Sequence, residues 1–110
     1  MSIALETSGA QRIIALEGQL NSANAAAAEA DILAVVGQGE RQLVLDFSRL
    51  DYISSAGLRL VLVVAKRLKK EGGQLVLCGM QPNIREVFEI SGFLAILDVV
   101  GSRAEALARF

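Results

Sequence analysis

The sequence predicts a single α/β domain over residues 1–110, with a mixed sheet in the order β-β-α-β-α-β-α-β-α covered by helices. Three observations carry that expectation. Leu43-Val44-Leu45 and Gln74 to Cys78 are uncharged runs of strand length, suited to strands covered on both faces. Between them lies a helical stretch long enough to return the chain to a parallel neighbour, a crossover expected to be right-handed. Glycines punctuate the joints at Gly37 and Gly39, Gly72-Gly73 and Gly92, and Pro82 falls where a helix can begin.

In chain order, residues 2–20 read as a hairpin. Ile3 and Leu5 alternate with smaller or polar positions, Ser8-Gly9 marks the turn, and Arg12 to Glu17 forms the return strand, closed by Gly18. An alanine-rich helix runs from Ser22 to Val36 with Asn21 or Ser22 as its cap, and Gly37 and Gly39 end it. The Gly37-Gln38-Gly39 pair is no dinucleotide fingerprint, because Gln42 stands where a third glycine belongs and the glycines leave a helix rather than enter one. The apolar run Leu43-Val44-Leu45, uncharged until Asp46, reads as a strand that leads through a serine turn into a helix from Ser55 to Lys70. After the Gln74 to Cys78 strand, Gln81-Pro82 opens a third helix with Ile84, Val87 and Phe88 as its apolar stripe, and Ser91-Gly92 stops it. Ile96 to Val100 is a short last strand, and Ser102 with Glu105 forms a capping box for a last helix.

Composition narrows the function. A net charge of −1 supplies no field for gathering nucleic acid. No segment reaches the roughly 18 uninterrupted apolar residues of a membrane span. The opening MSIALETSG lacks the basic start and apolar core of a signal peptide, so a cytoplasmic location is expected, without membrane association. The chain has no histidine, which removes the usual general base and with it a Ser-His-Asp hydrolase, and leaves few ligands for a metal cage. No phosphate loop ending in Gly-Lys-Ser/Thr is present. No enzymatic activity, metal or cofactor is expected. Cys78, the only cysteine, reads as a buried strand residue rather than a redox sensor, since no neighbour in sequence would lower its pKa.

The informative feature is the turn at Ser54-Ser55-Ala56-Gly57, just past the carboxyl end of a strand, where ligands and partners of such sheets are found. A hydroxyl there can be a cap, a nucleophile or a modification site. Two serines exceed what one cap needs, and Gly57 removes bulk beside them, which would let a partner approach. At 100° per residue, Leu58, Val61, Leu62, Ala65 and Leu68 gather as the core face of the helix. Ser55, Arg59, Val63, Lys66 and Lys70 follow one another down its flank. That flank is either a solvated basic face or a docking surface that begins at the serine. A phosphate on Ser55 would sit at the positive end of the helix, where the fold can tolerate it.

These residues carry a resemblance to a known family. Leu45-Asp46-Phe47-Ser48-Arg49-Leu50, Tyr52-Ile53-Ser54-Ser55-Ala56-Gly57-Leu58, Gly72-Gly73, Pro82, Phe88, Ser91-Gly92 and Gly18-Gln19-Leu20 together resemble the STAS domain of bacterial anti-sigma-factor antagonists, over nearly the whole chain. The resemblance implies a non-catalytic α/β domain that works by partner switching. Unphosphorylated, such a protein binds an anti-sigma factor that is itself a serine kinase and so frees the sigma factor; phosphorylation of the turn serine ends binding, and a PP2C-type phosphatase restores it. Matching the motif places the acceptor on Ser55, with Ser54 as a lesser candidate; together with the helix flank described above, the docking surface is expected at Asn21, Ser22, Ser54, Ser55, Ala56, Gly57, Arg59, Val63 and Lys66. By fold analogy the Met80 to Asn83 turn borders that surface. Many relatives carry Glu-Leu-Asp where this chain has Gln19-Leu20-Asn21, and Asp-Ser-Ser-Gly where it has Ser54-Ser55-Ala56-Gly57. A non-switching, architectural role for the same fold is the alternative, and a monomer or weak dimer is expected.

Overall fold

In the computed structural model, which describes residues 1–110, five strands form one sheet in sequence order. The strands are β1 (Ser2–Ser8), β2 (Gln11–Leu20), β3 (Gln42–Ile53), β4 (Gln74–Cys78) and β5 (Asp98–Val100). The first pair is antiparallel and the remaining neighbours are parallel. The helices are α1 (Ala25–Gly37), α2 (Ser55–Lys70), α3 (Pro82–Ile90) and α4 (Arg103–Leu107), with a 3₁₀ turn at Phe93–Ala95. The predicted order of elements holds throughout.

The alternation of side chains along the strands divides the interior into two layers. Ile14, Leu43, Leu45 and Leu77 point to the large core under α1, α2 and α3. Ile13, Val44, Val76 and Cys78 point to the other face, against Ala106 of α4, with Leu107 and Phe110 alongside. This two-sided burial explains why the β3 and β4 runs read as continuously apolar. Phe88 of α3 sits between Phe47 and Phe93, with ring centroids 5.9 and 6.3 Å away, and so anchors α3 to β3.

Three expectations need correction, and the end of β3 becomes defined. Gly18 does not close β2: it has φ 98° and lies within the strand, beside register shifts between Ala15 and Glu17 and between Gly18 and Gln19. Helix α1 starts at Ala25 rather than Ser22, because Asn21 Oδ1 accepts the N–H groups of Ala23 (2.9 Å) and Asn24 (3.2 Å) and holds residues 22–24 in a turn. Strand β3 runs on to Ile53, since Phe47, Leu50 and Ile53 stay buried while Ser48, Arg49, Asp51 and Tyr52 face solvent. Past Asp46 it pairs with β2 alone. Strand β5 is shorter than expected, because Phe93–Ala95 forms the 3₁₀ turn and leaves three residues to pair with β4.

The face of α2 also differs. Gly57, Leu60, Val61, Val64 and Leu68 are the buried residues, a face rotated roughly 80° from the predicted one at 100° per residue. Leu58, Leu62 and Ala65 are only half-buried, and Leu62 and Ala65 line an open groove with Leu75, Ile96 and Leu97 where the end of the sheet beside the 3₁₀ turn covers them incompletely.

Candidate functional site

Two adjacent parallel strands deliver the site. Strands β2 and β3 end in register, Leu20 opposite Ile53, and the Ser54 N–H donates to the Leu20 carbonyl at 2.9 Å. Whatever follows each strand is therefore side by side: Asn21-Ser22 leading to α1, and Ser54-Ser55 opening α2. A groove between these helix starts is lined by Ser22, Ala25, Ala26, Glu29, Ser55, Ala56 and Arg59. Four of the nine predicted docking residues, Ser22, Ser55, Ala56 and Arg59, line it directly.

The two turn serines separate in role. Ser54 is the N-cap of α2, extended at φ −91° and ψ 174°, and its Oγ accepts the Gly57 N–H at 3.2 Å. Ser55 is the first helical residue, exposed, and its hydroxyl has no partner within the fold. One turn on, Arg59 is exposed and forms no salt bridge, so a cation stands free four residues from the hydroxyl. Glu29 faces the same groove from α1.

The other predicted residues lie around this groove. Asn21 is half-buried behind it and holds the turn before α1. Val63 and Lys66 lie further along α2, and Lys66 borders a separate apolar groove with Leu62, Leu75 and Ile96. Gly57 is a correction: it is buried and faces inward, where an added Cβ would lie 2.7 Å from Ile53 Cγ1 and 2.9 Å from Leu20 Cγ. Its smallness lets α2 settle on the ends of β2 and β3, and opens no space for a partner. Gly57→Ala is thus expected to lower stability by about 1–2 kcal/mol in denaturant unfolding, the overpacking outweighing a helix-propensity gain of up to about 1 kcal/mol. A neutral or stabilised variant would contradict this packing role.

The turn from Met80 to Asn83 lies at the same end of the sheet. Asn83 Nδ2 donates to the Asp51 carbonyl at 2.8 Å, and Gln81 Nε2 donates to Asp51 Oδ1 at 3.2 Å, tying that turn to the free end of β3.

Sequence reasoning missed two features. Ala25, Ala26 and Glu29 join the groove because they stand three, four and seven residues after Ser22, a spacing that places them on one side of α1. On the opposite face of the sheet, buried Asp46 accepts Arg103 Nη2 at 2.8 Å and Nε at 3.1 Å through Oδ2, and the Ser48 N–H at 2.9 Å through Oδ1. Arg103 Nη1 reaches Glu6 Oε1 at 2.9 Å, so one guanidinium joins β1, β3 and α4. Burial pushes the Asp46 carboxyl up, but the Ser48 N–H and the guanidinium outweigh it and hold the group below its ordinary range. Nothing in the local pattern links residues 57 positions apart.

Cys78 is buried on β4, and burial together with the nearby Asp46 charge pushes its thiol up to about 11, so it stays protonated and unreactive at neutral pH. No three side chains of the His, Cys, Asp or Glu type converge as a metal set. No helix is long and apolar enough to cross a membrane.

Comparison with known proteins places the family and the fold. The family model described as the STAS domain matches residues 2–106. Over 110 residues the chain is 54% identical to BtrV of Bordetella bronchiseptica, named an anti-sigma factor antagonist, across 100% of this chain and 95% of that protein. An anti-sigma factor antagonist from Thermotoga maritima shares the fold with a TM-score of 0.93 at 18% identity, over 97% of this chain and 92% of the other. The Bacillus cell fate determinant SpoIIAA, in its phosphorylated form, superposes with a TM-score of 0.75 at 27% identity, over 98% of each chain.

Proposed function

Since the chain belongs to the STAS-domain family of anti-sigma factor antagonists, we propose that it binds an anti-sigma factor through the α1–α2 groove while Ser55 is unmodified, and releases it when Ser55 is phosphorylated. The anti-sigma factor is in this reading the serine kinase, and a PP2C-type phosphatase returns the chain to its binding form. The observation that carries the reading is the division of labour at the turn: Ser54 supplies the cap, and Ser55 presents a hydroxyl for which the fold has no use.

The chemistry of the switch follows from position. A phosphoserine adds about −1.5 to −2 charges at pH 7. At residue 55 that charge lies beside the exposed N–H groups at the start of α2 and one turn from Arg59, so the domain accommodates it. A partner seated in the groove has to bury the dianion or withdraw. The switch therefore acts on the interface rather than on the fold.

The test separates the two serines. Incubated with the cognate kinase and ATP and read by peptide mass spectrometry, the wild type and Ser54→Ala are expected to carry phosphate on Ser55, and Ser55→Ala to carry none. Ser54→Ala is expected to be less stable by about 1 kcal/mol through loss of the cap, while Ser55→Ala is not. Phosphate on Ser54, or on neither serine, overturns the assignment.

A further inference from the structure

We propose that two copies of the chain associate by pairing their β1 strands antiparallel across a two-fold axis at Leu5. Strand β1 is one edge of the sheet. All seven of its residues pair with β2 without a register shift, so its outer side is an unbroken row of unpaired backbone groups. Such edges are normally blunted by proline, a bulge or an outward lysine. Here the segment Ser-Ile-Ala-Leu-Glu-Thr-Ser has none of them. Its one charge, Glu6, is engaged by Arg103 at 2.9 Å.

The occupant is indicated by the strand's own complementarity. Centred on Leu5, antiparallel pairing sets Ser2 against Ser8, Ile3 against Thr7, Ala4 against Glu6, and Leu5 against its counterpart. β-Branched residues face each other, and no like charges are opposed. Leu5 is 60% exposed on β1, and with Ile3 it borders an apolar groove against Ala34 and Val35 of α1. The two-fold brings both grooves together and covers both leucines. Asp31, the only ionisable residue lining that groove, is exposed and so screened by salt. At the other edge β5 has only three residues, so the contact is isologous and closes at a dimer instead of growing into a fibre.

The test is the mass of the intact protein by sedimentation equilibrium over a wide concentration range. The wild type is expected to move from 11.7 kDa toward twice that mass as concentration rises. Leu5→Lys and Leu5→Glu are each expected to remain at 11.7 kDa with unchanged circular dichroism and thermal unfolding, their dimer affinity reduced at least tenfold. Mixed in equal amounts, the two variants are expected to associate again, because lysine then faces glutamate across the axis. A wild type that is monomeric throughout, single variants that dimerise as it does, or a mixture that stays monomeric each overturns the proposal.

Discussion

Ser55→Asp is expected to weaken the complex with the anti-sigma factor by about 10- to 100-fold, while Ser55→Ala retains wild-type affinity. The magnitude follows from the cost of an unpaired or like charge at an interface, several kcal/mol for a full mismatch, with each 1.4 kcal/mol worth tenfold in affinity. A carboxylate has about half the charge of a phosphate, which places the variant at the lower end. The fold does not confound the result. Ser55 is exposed, and a negative charge in the first turn of α2 favours the helix by about 0.3–1 kcal/mol, so thermal stability is expected to hold or rise slightly. Isothermal titration with each variant reads the effect. Equal affinities for wild type and Ser55→Asp would instead indicate a domain that serves as a fixed subunit of an assembly.

The second large effect concerns the other face of the sheet. Arg103→Leu leaves the buried carboxylate of Asp46 with the Ser48 N–H as its remaining partner, and is expected to cost about 3 kcal/mol at neutral pH. The pH dependence has a definite sign. In the wild type the Asp46 carboxyl lies below its ordinary range, so the folded state gains from its ionisation. That gain is present above about pH 4 and is lost as pH falls through the folded-state value. Without the guanidinium, burial dominates and raises the carboxyl, so the penalty is largest where the unfolded chain is ionised and shrinks on acidification. Denaturant unfolding of both proteins from neutral pH to below pH 4 should show their stabilities converging. A constant gap would mean that Arg103 stabilises through packing rather than charge.

Much of this architecture is legible in the residues, and the departures share a cause. Strand and helix positions follow from local signals: the apolar runs at Leu43 and Gln74, the glycine joints and the Ser102-Glu105 capping box, in which the Glu105 N–H donates to Ser102 Oγ at 3.2 Å. The errors arise where a neighbour decides. Strand β3 outruns its uncharged segment because β2 continues beside it, and the buried face of α2 turns toward Leu60 and Val64 because cover is thin beyond Leu62 and Ala65. Gly57 reads as an opening when only its surroundings are unknown; Ile53 and Leu20 show it to be a tight inward contact. Ser55 stands out in sequence, whereas its placement beside Ser22 and Glu29 depends on the register of β2 against β3, and the Asp46–Arg103 pair depends on α4 folding back over the sheet.

One phosphate on Ser55 is expected to separate a binding form from a released form of the same fold. The most direct measurement titrates the anti-sigma factor with chain fully phosphorylated at Ser55 and with the same preparation after phosphatase treatment. The expected result is saturable binding by the dephosphorylated chain and affinity at least 100-fold weaker for the phosphorylated one, a difference of about 2.7 kcal/mol or more. Indistinguishable affinities for the two forms would contradict it.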